Sequence, residues 1–156
     1  YIGRTFIQPT QKKRDTAVRL KLNAVRSVVE GKSVIMVDDS IVRGTTSGKI
    51  VKMLRNAGAK EVLMCVSSPP IGYPCCYGID TSVRKELIAA TKSVEEIRAY
   101  IGADGLHFLS LGGLKKCVTN LKADDMCYAC FNNAYPIAAG DEPAGEGKYV
   151  FEHGKC

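Results

Sequence analysis

The chain has 156 residues, 46% of them apolar and 24% charged, with a formal net charge of +6, which is enough for one globular domain with its own core. No apolar run approaches the roughly 18–20 residues of a membrane span, and residues 1–14 lack the apolar stretch of a secretory signal, so a cytoplasmic location and no membrane partner are expected. The positive charge points to nucleic acid or a small polyanion. The densest basic cluster is Lys12, Lys13, Arg14, Arg19 and Lys21. It reads first as a solvated helix face and second as a phosphate contact. With no aromatic residues interleaved, nucleic acid is not expected.

In chain order, residues 1–9 read as a polar loop, and the first residue is Tyr rather than Met, so position 1 is expected to lie inside a longer protein. Residues 10–30 read as a helix, with Val18, Leu22, Val25 and Val29 at helical spacing and Gly31 as its stop. Residues 33–37 read as a buried parallel strand entering Asp38 and Asp39. The next helix is expected over 47–57, with Ile50, Val51, Leu54 and Ala57 on one face, and the next buried strand over 61–66. Strand, helix and strand within some 35 residues make a right-handed βαβ unit, so the fold class is α/β with a parallel sheet flanked by helices.

Residues 67–81, SSPPIGYPCCYGIDT, form a loop rich in Pro and Gly. A short helix is expected over 83–90. Ser93 followed by Glu96 has capping-box form and opens a helix to about Ile101. A third strand is expected over 106–110 and a short helix over 114–121. The chain turns polar from Lys122 and rich in glycine after Gly140. No internal repeat is present.

The segment 34–47, VIMVDDSIVRGTTS, carries the clearest chemistry. Two acids end an apolar strand, a short loop follows, and a helix begins. In open α/β sheets ligands sit outside the carboxyl ends of strands. A helix start offers unpaired N–H groups and partial positive charge to a phosphate. Gly44 lets the backbone come close to a ligand, and Ser40, Thr45, Thr46 and Ser47 add hydroxyl donors. Asp38 and Asp39 would repel a phosphate, but they can accept from sugar hydroxyls or hold Mg²⁺. The loop therefore suits a ligand with a phosphate, a diol and a metal. The bland alternative is a capped helix with solvated acids. His107 in a strand and His153 in the tail have no partner pattern and read as structural or exposed.

Seven cysteines, an odd number, and no export signal argue against a disulfide framework. Cys127 and Cys130 have a ligand-pair spacing, and Cys75 and Cys76 lie in the Pro/Gly loop. On spacing alone, zinc, an iron–sulfur cluster and plain thiols all stay open. Cys65 in a strand and Cys117 in a helix read as core residues.

The ten residues from Asp38 resemble the phosphoribosyl diphosphate (PRPP) signature of type I phosphoribosyltransferases. Together with YIGRTFIQPTQ at 1–11, the YPCCYGIDT loop, VEEIRAYIGADGL at 94–106 and CYACFNNAYP at 127–136, they resemble the glutamine PRPP amidotransferases of the iron–sulfur class. The resemblance implies a type I phosphoribosyltransferase fold truncated at its N-terminal side. Residues 1–121 would be the C-terminal part of the transferase domain and 122–156 a cysteine-bearing segment and tail, with the N-terminal glutaminase domain absent.

The implied activity makes 5-phosphoribosylamine and diphosphate from PRPP and glutamine-derived ammonia, the first step of de novo purine synthesis. By the same resemblance, Asp38 and Asp39 hold Mg²⁺ and ribose hydroxyls. Ser40, Arg43, Gly44, Thr45, Thr46 and Ser47 form the 5′-phosphate loop, and Tyr1, Gly3 and Arg4 end a flexible loop that closes over PRPP. No side-chain nucleophile is implied. Purine nucleotides are implied as inhibitors, with Lys21 and its neighbours as contacts. The resemblance also implies a [4Fe–4S] cluster on Cys75, Cys127 and Cys130, with Cys76 able to exchange for Cys75 and a fourth ligand upstream. A homo-oligomer, a tetramer, is implied at full length, and the isolated 156 residues are expected to be inactive. Two competing readings are a regulator that senses PRPP or nucleotides and a purine-base salvage phosphoribosyltransferase.

Overall fold

A computed structural model describes residues 23–75, 77–79, 81, 83–120 and 122–137. The expected flexible-loop residues Tyr1, Gly3 and Arg4, the basic cluster with Lys21, most of the first helix, Cys76, His153 and the glycine-rich tail lie outside the described residues.

Three strands, β1 (Ser33–Asp38), β2 (Glu61–Val66) and β3 (Gly105–Phe108), make a parallel sheet in the order β1-β2-β3. Asp38 pairs with Val66, and Val66 pairs with Phe108, so the carboxyl ends of all three strands lie along one edge. Helix α1 (Arg26–Val29) ends before Gly31, whose φ of 71° breaks it as expected. Helix α2 (Thr45–Asn56) connects β1 to β2, and α3 (Val94–Ile101) precedes β3. Helices α4 (Leu111–Cys117) and α5 (Ala129–Asn132) follow.

Side chains alternate between the two faces of a strand, and here the two faces have different fates. Val62, Met64, Val66 and Leu106 point to the face covered by α2 and α3, where they pack with Ile41, Val51, Ile97 and Ile101. Burying each such side chain stabilises by about 1.5–3 kcal/mol. On the other face Ile35 is 64% and Val37 71% exposed. The expectation of a strand buried on both sides is corrected for β1: among the described residues no element covers this second face. Val25, expected on the apolar stripe of the first helix, is likewise exposed, whereas Val29 is buried.

Ser93 caps α3 as expected: its Oγ accepts from Glu96 N–H at 3.3 Å, and Glu96 accepts from Ser93 N–H at 2.7 Å. The bond from Ser93 N–H, and a second that Ser93 Oγ donates to Glu96 Oε2 at 2.8 Å, hold the Glu96 carboxyl below its ordinary range. The helix expected over 83–90 is instead two 3₁₀ turns, Arg84–Glu86 and Ile88–Ala90. Leu87 between them is extended and fully buried, so driving that side chain into the core breaks the helix. Helix α4 starts three residues earlier than expected because Ser110 caps it, accepting from Gly113 N–H at 3.0 Å. Asp104 secures the opposite edge of the sheet. Its Oδ2 accepts from Val62 N–H and from Arg55 Nη2, both at 2.7 Å, and these bonds, the backbone one first, lower its pKa.

Candidate functional site

Asp38 closes β1, and the chain then leaves the sheet edge and turns into α2. Asp39 N–H donates to Asp38 Oδ1 at 3.0 Å, and Ser40 Oγ donates to Asp39 Oδ1 at 3.2 Å. The Asp38 carbonyl is tied to the end of β2 by Ser67, whose N–H donates to it at 2.9 Å and whose Oγ at 3.2 Å. Burial pushes the Asp38 carboxyl above its usual value; the bond from Asp39 N–H opposes this, and the neighbouring Asp39 carboxylate reinforces it. Two adjacent carboxylates at a strand end offer the oxygen ligands a divalent cation takes.

Thr45, Thr46 and Ser47 form the first turn of α2, which begins two residues earlier than the sequence pattern indicated. No acidic residue lies in that turn, which suits an anion at the positive end of the helix. Gly44 has φ 73°, a conformation that favours glycine. The space a Cβ would occupy is filled by Ile88 Cδ1 at 2.9 Å and Tyr100 Cε1 at 3.1 Å. The glycine expected for close approach of a ligand is therefore also required by the protein's own packing.

Arg43 is partly exposed, but its guanidinium is turned onto Glu86. Its Nε donates to Glu86 Oε2 at 2.8 Å, and its Nη2 donates to the same oxygen. Ile88 N–H donates to Val42 O at 2.9 Å. Glu86, Ile88 and Tyr100 stand 43 or more residues along the chain, and nothing local in the sequence marks them as neighbours of the loop.

The cysteine-bearing segment docks on the 72–77 loop through backbone and tyrosine bonds. Gly72 and Tyr73 N–H both donate to Cys130 O at 3.1 Å. Tyr135 Oη donates to Pro74 O at 2.6 Å, and Tyr77 Oη donates to Ile137 O at 3.1 Å. The Tyr77 and Tyr135 rings meet edge to face at 6.2 Å. These bonds bring Cys75 and Cys130 to one half-buried region, with Cys127 exposed at its rim. Burial pushes the Cys130 thiol up, and Cys75 and Cys127 lie near enough to add to that rise. Among the described residues no three His, Cys, Asp or Glu side chains converge tightly enough to hold a single metal ion. Cys65 is half-buried, but Cys117, expected in the core, is exposed, because α4 turns that side outward. His107 is exposed on β3.

No family model matches the chain. An amidophosphoribosyltransferase of Bacillus subtilis is 63% identical over 140 residues, covering 87% of this chain and 29% of the relative. The chain belongs to the amidophosphoribosyltransferase family. The chloroplastic amidophosphoribosyltransferase 2 of Arabidopsis thaliana is 53% identical over 154 residues, covering 99% of this chain and 27% of the relative. The solved structure of the B. subtilis glutamine PRPP amidotransferase, complexed with ADP and GMP, superposes with a TM-score of 0.74 at 57% identity, covering 94% of this chain and 33% of that one. The chain thus spans about a third or less of the relatives it matches. Its parallel sheet with flanking helices has the type I phosphoribosyltransferase architecture of that structure. Among the described residues no helix is long and apolar enough to cross a membrane.

Proposed function

We propose that the chain is the sugar-phosphate-binding part of an enzyme that converts PRPP and glutamine-derived ammonia to 5-phosphoribosylamine and diphosphate, the first step of de novo purine synthesis. The observation that carries this is the acidic pair and phosphate loop at the carboxyl edge of the sheet, in a chain 63% identical to an amidophosphoribosyltransferase. That identity favours this reading over a PRPP-sensing regulator or a salvage transferase.

In this reading the amides and hydroxyls of Ser40 and Gly44–Ser47 receive the 5′-phosphate, and Arg43 belongs to the same loop. Asp38 and Asp39 accept from the ribose hydroxyls. The adjacent carboxylates also fit Mg²⁺, which when bound supplies charge neutralisation for the leaving diphosphate. The C1–O bond to diphosphate breaks with its electron pair leaving on oxygen. The ammonia nitrogen forms the C1–N bond and then loses a proton to solvent. No side-chain nucleophile is needed, and positioning carries the rate. Tyr1, Gly3 and Arg4 would close over the sugar and exclude water.

The donor set Cys75, Cys127 and Cys130 fits a [4Fe–4S] cluster better than a lone ion. A cluster spreads its thiolates over different irons, so they need not converge on one point. Its role would be to pin the C-terminal segment to the 72–77 loop. The relative solved with ADP and GMP supports purine nucleotides as inhibitors. The exposed Ile35 and Val37 are compatible with burial against the remaining length of the protein or against further subunits of a tetramer. A cytoplasmic site is proposed, although plant relatives are named chloroplastic.

The test is the Asp38→Asn/Asp39→Asn variant in a protein of full family length. PRPP-dependent formation of diphosphate should vanish while the protein stays folded by circular dichroism. Retained turnover would remove the acidic pair from the sugar–metal site.

A further inference from the structure

Three consecutive residues of the loop, Val42, Arg43 and Gly44, each meet the short segment 86–88. Val42 O accepts from Ile88 N–H at 2.9 Å, and Arg43 Nε and Nη2 both donate to Glu86 Oε2. Gly44 lies against Ile88 Cδ1. Leu87, between these two partners, is fully buried and fixes the segment in the core. Over residues 38–41 the described side-chain bonds link only immediate neighbours, and the one described outside tie is at the strand end, where Ser67 donates to Asp38 O. The shape of the loop is therefore imposed from outside it.

We propose that Glu86 is a positioning residue for the phosphate loop, acting through Arg43, so that Arg43 serves the loop's shape rather than touching the phosphate. This rests on residues 38–47 being the sugar-phosphate site. The physical case is preorganisation. A guanidinium fixed by two bonds to one carboxylate loses its freedom before the ligand arrives. The donors that open α2 are then already aimed, and binding need not order them. On this proposal losing the brace weakens binding and leaves the chemical step alone, because the Arg43 guanidinium is spent on Glu86 and acts on the loop's shape. The pair is partly exposed, with 40% and 49% of the two side chains accessible, so the effect is modest.

The experiment compares Glu86→Gln, Arg43→Gln and the double variant in a protein of full family length. Glu95→Gln is the control, since it breaks the Glu95–Arg98 pair on α3, away from the loop. Each of the first three should raise the PRPP KM about two- to fivefold with kcat within about twofold of wild type. The double variant should do no more than either single one, because the two side chains act as one unit. Amide hydrogen exchange over 40–46 should accelerate in Glu86→Gln and not in Glu95→Gln. The proposal is overturned if Glu86→Gln leaves KM and exchange at wild-type values, or if Arg43→Gln adds its full effect on top of Glu86→Gln. Should the wild type show no PRPP turnover, it is the functional reading that fails. Exchange then decides alone: equal loop rates in Glu86→Gln and Glu95→Gln overturn the brace, and faster rates in Glu86→Gln support it.

Discussion

The proposed phosphate loop and the cysteine segment are built in opposite ways. The loop is one contiguous string between a strand and a helix, and its chemistry is already present in ten adjacent residues. The cysteine region is assembled from residues 72–77 and 127–137, joined by Cys130 O, Tyr135 and Tyr77. A contiguous motif keeps its chemical groups side by side whatever braces it. A discontinuous one depends on the bonds that dock its halves. The difference teaches where each region is vulnerable: the loop in its side-chain chemistry, the cysteine region in its stability.

The largest expected effect falls on the loop. Asp38→Asn/Asp39→Asn should reduce PRPP-dependent turnover by on the order of a hundredfold or more with the melting temperature nearly unchanged, measured by diphosphate release and thermal unfolding. A large loss of stability would break the comparison. Next comes Cys127→Ser or Cys130→Ser. After anaerobic reconstitution with iron and sulfide, the broad visible absorption of a cluster should be lost, and with it about 2–5 kcal/mol of stability, the scale of a lost cross-link between distant segments. Full cluster absorption in both variants would sink the ligand assignment.

Smaller still is Tyr135→Phe, which removes the 2.6 Å bond to Pro74 O and should cost about 1 kcal/mol, read from the denaturant midpoint, with the PRPP KM unmoved. The smallest effect concerns the scaffold both regions share. The Asp104 carboxyl has a lowered folded pKa, so it contributes stability above its ordinary value of 3.8 and loses it as pH falls through the lower folded value. Asp104→Asn should therefore be less stable than wild type near neutrality, and the two denaturant midpoints should converge on acidification below pH 3.8. A gap that stays constant with pH would mean that the carboxylate's charge contributes nothing.

Much of the fold was legible because its signals are short-range. The 61–66 strand, the Ser93 capping box and the stop at Gly31 each depend on residues within one turn or one strand. The misplaced elements have a different cause. The 83–90 helix breaks because Leu87 is drawn into the core, and β1 is open on one face because nothing described covers it. Neither fact is written in local propensity.

Within the candidate site the same division holds. Asp38, Asp39 and the run from Ser40 to Ser47 suit a phosphate and a diol by type and order alone, since strand periodicity and helix-start chemistry are properties of neighbours. What the loop leans on had no such signal. Glu86, Ile88 and Tyr100 come to it only when the chain packs back upon itself, because contacts across 43 residues and more follow from how buried surfaces fit together. The loop's residue types and order are local, but its shape rests on Glu86, Ile88 and Tyr100, which meet it only through long-range packing.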